Sequence, residues 1–309
     1  MSLKVYVVLL NWNGLKDTSE CLESLEKAAC PGLEIIVVDN GSTDGSLEAL
    51  KKRFGAAVRF IENRTNLGFA GGCNAGLRQA LSEGAEYVIL LNNDTVVDAD
   101  FARELLKAAE TEPEAGIICS KIFFHDRPDV IWYAGAFFNE RLGWGRHRGY
   151  NDSGDKYRST EETGRPTGCS MMVTRELCGK IGLFDEEYFC YCEDLDWGLR
   201  ARKAGFKVLF APASKVWHKV SSSSGGRSTA VSLYYSTRNM LMCVDKNSPL
   251  SFPLRQLRYL SIAAASLLSL FTMGVPYAAG LKMVFKGFQD YFRGVKGELC
   301  LQKLYKGVA

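Results

Sequence analysis

The sequence predicts an α/β fold: a mostly parallel sheet flanked by helices, with a C-terminal helical extension. Three observations carry that expectation. Four short, continuously apolar runs alternate with segments of helical spacing over the first hundred residues, the pattern of strands covered on both faces. The runs are rich in Val, Ile and Leu, as buried parallel strands are. Polar residues gather at their carboxyl ends, where ligands sit on such sheets.

Taken in order, KVYVVLLN (4–11) reads as a first buried strand. Leu15, Cys21, Leu22 and Leu25 then recur at roughly helical spacing over 15–29. EIIVVDN (34–40) is a second strand, 46–54 a short helix and VRFIEN (58–63) a third strand. GGCNAGLRQALSEG (71–84) reads as a helix and YVILLN (87–92) as a fourth strand. Beyond residue 100 the pattern is mixed. A helix over 100–111 and the apolar GIICSKIFF precede a polar, Gly-rich stretch at 139–165. SMMVTRELCGKIG and DLDWGLRARKAG read as helices, and FKVLFAP and SKVWHK as two short strands. Three parts result: 1–98 as one half of a domain, 99–245 as its more irregular second half, and 246–309 as a helical segment.

Composition is that of an ordinary globular protein, 47% apolar and 24% charged over 309 residues. The charge is unevenly placed. From residue 250 onward eight Lys/Arg face only Asp290 and Glu298, whereas the remainder carries 30 basic against 33 acidic residues. A near-neutral body with a basic, aromatic-rich tail suits an anionic membrane surface and gives no reason to expect nucleic acid. Residues 259–281 hold no charge, and Lys282, Phe285, Lys286, Phe288, Tyr291, Phe292, Arg293 and Lys296 then interleave cations with rings. As one helix, 259–281 would be ~35 Å long, enough to cross a bilayer. Gly274, Pro276 and the many Ala and Ser favour helices lying on the leaflet instead. Packing against the body or a second copy of the chain is the competing reading. Ten scattered cysteines without repeated C-x-x-C spacing, and an N-terminus that already reads as a core strand, suggest reduced thiols in the cytoplasm.

Four motifs carry chemistry. In VDNGSTDGS, Asp39 ends a strand, where its carboxylate can accept from the N3–H of uracil or thymine; alternatively Asp39 and Asp44 only cap a turn. In NLGFAGGCNAG the glycines permit close backbone approach and the following helix offers N–H groups to phosphate or ribose, although a plain loop–helix junction reads as well. This is not G-x-G-x-x-G, so a nicotinamide-dinucleotide fingerprint is absent. LLNNDTVVD ends a strand in Asn92, Asn93 and Asp94. One carboxylate suffices for Mg2+ or Mn2+ when a diphosphate supplies further oxygens, and the two amides can bond phosphate or sugar without repelling it. In FCYCEDLDW, Glu193 and Asp194 open a helix whose dipole favours their ionised form, while Asp196 and Arg200 stand at i, i+4 and pair. His218 follows a short strand; a lone His is more often structural, yet imidazole is a fair manganese ligand.

In their order and spacing, VDNGSTDGS, NLGFAGGCNAG, LLNNDTVVD, PTGCSMMV, FDEEYFCYCEDLDWGLRARKAG and VWH resemble family 2 glycosyltransferases, which have the nucleotide-diphospho-sugar transferase fold called GT-A. Within that family the chain looks most like bacterial rhamnosyltransferases of the cell-wall and O-antigen type. The resemblance implies that Asp39 contacts the base, with Asn11 and Asp44 lining the nucleoside pocket. Gly68, Phe69 and Asn74 would lie along the nucleotide and Gly168 under the sugar. Asp94 and His218 would hold Mn2+ or Mg2+, beside Asn92 and Asn93, where many relatives have acids. Asp194 would be the catalytic base and Glu193 a second acid near the acceptor.

The implied reaction is an inverting displacement. It moves a sugar, such as rhamnose, from a UDP- or dTDP-sugar to a saccharide or lipid-linked acceptor in cell-surface polysaccharide synthesis. The expected setting is the cytoplasm, peripheral on the inner face of the plasma membrane, with a homodimer as a further expectation. Residues 221–228 (SSSSGGRS) could form a lid whose Arg227 reaches the diphosphate, or a plain loop. An inactive nucleotide-sugar-binding or scaffold protein on the same fold is the alternative. A processive synthase is disfavoured by the absence of multiple spans and of a Q-x-x-R-W motif.

Overall fold

The computed structural model describes residues 3–28, 30, 32–220, 230–272 and 274–299. Its sheet begins with the four expected strands, β1 (Val5–Asn11), β2 (Leu33–Asp39), β3 (Val58–Glu62) and β4 (Tyr87–Asn92). All are parallel, with β1 between β2 and β4 and β3 outside β2. The register pairs Asn11 with Asp39 and Leu10 with Asn92, so the polar strand ends line up along one rim. Helices α1 (Leu15–Leu25), α2 (Ser46–Phe54) and α3 (Gly68–Ser82) cover this half. Their apolar sides complete a core with Val7, Leu9, Ile36, Val38 and Leu90, all nearly free of solvent. Burial of that kind, at roughly 25 cal/mol per Å2 of apolar surface, is the main stabilising term.

The second half departs from the sequence reading in two places. SMMVTRELCGKIG is not one helix: Ser170–Thr174 is strand β11 and Arg175–Ile181 helix α5. Thr174 ends the strand and caps the helix, its hydroxyl accepting from Leu177 N at 3.1 Å. β11 lies antiparallel between β4 and the fully buried β6 (Ala115–Phe124), joining the two halves of the sheet. FKVLFAP and SKVWHK form one strand, β12 (Lys207–His218), whose register on β6 shifts between Ala211 and Lys215. β5 (Thr95–Val97), β7 (Ile131–Tyr133) and β10 (Glu161–Glu162) add to the edges. The helix expected over 100–111 is α4 (Phe101–Thr111). The Gly-rich stretch contributes β9 (Trp144–His147), which with β8 (Ala136–Asn139) makes a separate hairpin.

Three helices follow: α7 (Ala230–Asn247), α8 (Phe252–Thr272) and α9 (Tyr277–Phe292). The uncharged stretch 259–281 is therefore two helices, not one. Gly274 takes a positive φ of 64° and Pro276 caps α9. No helix among the described residues is long and apolar enough to cross a membrane. Leu270 and Val275 turn inward to α7, whereas Leu257, Leu260, Leu268 and Phe271 face outward in a helical row. Part of the tail's positive charge is also internal. Arg258 is fully buried, donating to the carbonyls of Val244 and Ser248 beside Asp245.

Candidate functional site

The rim formed by β1, β2 and β4 is a hydrogen-bonded lattice. Asn11 Nδ2 donates to Asp39 Oδ1 (2.8 Å) and Ser46 Oγ (3.0 Å), and its Oδ1 accepts from Thr18 (2.8 Å). Ser42 N donates to Asp39 Oδ2 at 3.0 Å. Asn11 is thus a brace that aims the buried Asp39. Asp44 is exposed; hydrogen bonds from the Ser46 hydroxyl and from Ser46 N at 2.9 Å outweigh its slight burial and hold its carboxyl below the usual range. Trp12, exposed beside this lattice, is a feature the sequence reading passed over.

The glycine motif lies inside α3 rather than before it, because the helix starts at Gly68. Gly68 has φ of 73°, and an added Cβ would come within 2.3 Å of the Phe189 carbonyl. That carbonyl accepts from Ala70 N (3.1 Å), and Gly68 N donates to Asn66 Oδ1 (2.8 Å). The N–H groups that were expected to meet phosphate are thus partly engaged within the fold. Asn74 is likewise structural: it donates to Phe184 O and Glu186 Oε1 and accepts from Phe184 N. Phe69 packs over Gly168, where an added Cβ would meet its ring at 3.0 Å.

Asp94 and His218 meet across β5 and β12, with Asp94 Oδ1 3.1 Å from His218 Nε2. The pairing of Thr95 with His218 fixes that approach. Asn93 braces the turn by donating to Thr18 at 2.9 Å, and Asn92 N donates to Cys169 O at 2.9 Å. Burial lowers the His218 pKa, but Cys169 and the Asp94 carboxylate outweigh it and push the imidazole up to about 10. The donor set fits a hard divalent cation. Neighbouring ligands of a six-coordinate ion with ~2.1 Å bonds stand about 3 Å apart, the separation of these two atoms. No cluster of three or more His, Cys, Asp or Glu side chains is poised for a metal among the described residues. The remaining positions would thus fall to substrate and water.

Glu193 and Asp194 open α6 (Glu193–Lys203), as expected. Asp194 accepts from Gly168 N (3.1 Å) and Leu195 N (2.6 Å), with Arg165 Nη2 at 3.4 Å from Oδ1. For Glu193 the dipole expectation fails. Burial, followed by the charge of Asp194, pushes its pKa up to about 8, and its Oε2 has no hydrogen-bond partner. Asp196 pairs with Arg200 at 2.7 Å as foreseen and also accepts from Tyr188 and Asn247.

The loop before α6 is under backbone strain. Phe189, Tyr191 and Cys192, none of them glycine, all have φ between 65° and 69°. Asn239 of α7 steadies them, its Nδ2 within 2.7–2.9 Å of the carbonyls of Tyr188, Cys190 and Tyr191. Sequence spacing could not reveal this brace, since Asn239 comes from a helix nearly fifty residues away. Arg165 was also missed, for it reaches Asp194 only through the turn that leads into β11.

Residues 168 and 169 tie the two acidic centres together. Gly168 N holds Asp194, while Cys169 holds the backbone of Asn92 and contacts His218. Arg227 and the proposed lid at 221–228 lie outside the described residues.

The family model described as Glycosyl transferase family 2 matches residues 6–181. The chain is 29% identical over 225 residues to an N-acetylglucosaminyl-diphospho-decaprenol L-rhamnosyltransferase of Mycobacterium tuberculosis, covering 66% of this chain and 72% of that one. It is 24% identical to the dTDP-rhamnosyl transferase RfbF of Shigella flexneri, over 96% and 98% of the two chains. Among solved structures, a Pyrobaculum calidifontis mannosyltransferase in complex with GDP-Man and Mn2+ superposes with a TM-score of 0.61 at 16% identity, covering 94% of this chain and 88% of the other. That likeness shows the GT-A fold expected from the sequence.

Proposed function

Since the chain belongs to glycosyl transferase family 2, we propose that it is an inverting rhamnosyltransferase. It would take the sugar from a dTDP- or UDP-linked donor and deliver it to a saccharide or lipid-linked acceptor in cell-surface polysaccharide synthesis. The observation that carries this reading is the pair of residues 168 and 169, which adjoins both a hydrogen-bonded carboxylate (Asp194) and a carboxylate–imidazole pair (Asp94, His218). Asp39 would select the base and Asn11 orient Asp39. Asp194 would take the proton of the attacking hydroxyl, a step worth typically ~10²–10⁴-fold. The N–H groups of Gly168 and Leu195 hold that carboxylate in place, and Arg165 offsets its charge. Asp94 and His218 would hold Mn2+ or Mg2+, which when bound supplies positive charge to the departing diphosphate. Rhamnose is favoured by the two relatives named for it, one acting on a lipid-linked diphosphate acceptor. Outward-facing Leu260, Leu268, Phe271 and Phe285, beside exposed Lys282 and Arg293, support a place on the anionic inner leaflet.

The deciding experiment offers dTDP-L-rhamnose to the purified protein with and without Mn2+ and follows dTDP release. Release should require Mn2+ and should fall to background in Asp94→Ala. In Asp194→Asn it should drop ~10²-fold or more while dTDP binding persists. No release from any dTDP- or UDP-sugar, with tight binding retained, would instead establish the scaffold reading.

A further inference from the structure

We infer that His147 is a specificity-determining residue of the transfer site, a fixed hydrogen-bond acceptor for a hydroxyl of the transferred sugar. This rests on the reading just given. A departing diphosphate at Asp94 and His218 and an attacking hydroxyl at Asp194 leave one place for the reacting sugar, the space between them. His147 stands near both centres, one ring away from His218 and within electrostatic reach of Asp194. It ends β9, paired with Ala136 of β8. Its ring meets Trp132 edge to face at 4.6 Å, and the same Trp132 meets His218 at 4.9 Å. Tyr133 packs its other side at 5.2 Å. On the base side, Arg165 and Asp194 both act electrostatically on the imidazole.

The tautomer follows from one hydrogen bond. His147 Nδ1 lies 3.3 Å from the Trp132 carbonyl. A carbonyl only accepts, so the proton is on Nδ1 and the lone pair on Nε2. Burial, reinforced by the neighbouring Arg165 cation, pushes the pKa down to about 4, in keeping with a neutral ring. Nε2 has no hydrogen-bond partner among the described residues, and it is not among their fully enclosed, unpartnered atoms, so a small polar group can reach it. Two aromatic walls and a tethered Nδ1 leave one acceptor at a set position, the arrangement that discriminates hydroxyl patterns. A core role is the competing explanation, and it predicts equal effects on nucleotide and nucleotide-sugar.

The test measures binding of dTDP and of the tightest among dTDP-L-rhamnose, UDP-glucose and UDP-N-acetylglucosamine to the full chain with Mn2+. His147→Phe should weaken the nucleotide-sugar roughly three- to tenfold and leave the matching nucleoside diphosphate unchanged. His147→Asn, whose amide oxygen can accept, should recover much of that loss. Equal weakening of both ligands, or no weakening in His147→Phe, overturns the inference while the functional reading stands. Failure of the wild-type protein to bind any of the three nucleotide-sugars overturns both.

Discussion

At the scale of single residues, the candidate site separates groups that would touch substrate from groups that hold them. Asp94, His218 and Asp194 stood out in the sequence because each lies at or beside the end of an element, and the structure brings Asp94 to His218. Asn11 and Asn74 were read as ligand contacts and instead brace Asp39 and the turn at 184–186. An amide's partner cannot be read from its neighbours in sequence. His147 and Arg165 stayed hidden because only the hairpin and the turn into β11 bring them in. Glu193 is the residue whose behaviour differs most from expectation. With its carboxyl pushed up to about 8, the folded state binds a proton that the unfolded state releases near its ordinary value of 4.5. Its contribution to stability is therefore complete below pH 4.5 and is lost as pH rises through about 8. Glu193→Gln should flatten that decline. Thermal melts of both proteins at pH 5, 7 and 9 check it, with the variant gaining on the wild type at the alkaline end.

At the scale of elements, strand and helix order over the first hundred residues followed from hydrophobic patterning alone. The errors came later, where β11 and α5 share one apolar run and a single strand bends at its register shift. The loop at 188–192 is the element that leads into α6 and Asp194. It keeps three non-glycine residues at positive φ, each costing of order 1–3 kcal/mol, and Asn239 is the polar clamp opposing that strain. Replacing it by Leu takes the side-chain donor from the Cys190 and Tyr191 carbonyls, whereas Tyr188 O keeps Arg238 and Cys190 N. We expect Asn239→Leu to lower stability by about 2–4 kcal/mol in urea titrations, since each stranded group costs ~1–3 kcal/mol. Turnover should fall further than donor binding does, because α6 carries Asp194 whereas Asp39 and Asp94 sit on the sheet.

At the scale of the whole molecule, the C-terminal helices turn an apolar row outward rather than inward. Leu260 and Phe271 are 67% and 76% exposed. Burying such side chains contributes roughly 1.5–3 kcal/mol each. The protein should therefore co-sediment with vesicles containing phosphatidylglycerol, and Leu260→Ser combined with Phe271→Ser should weaken that partition at least about tenfold without lowering the melting temperature. Equal sedimentation of the double variant would remove these helices from the membrane role. The same helices reach the loop before α6, since Arg238 of α7 donates to Tyr188 O and to Gly297 O just beyond α9.

The placement of β11 has one more consequence. Asp194 and the Asp94–His218 pair both adjoin the turn at 168–169 that feeds β11, so under the proposed function that turn sets the span between the base and the diphosphate. A donor whose leaving group is one phosphate shorter should still dock its base yet fall short of that mark, and nucleoside monophosphate sugars should act as inhibitors, not substrates.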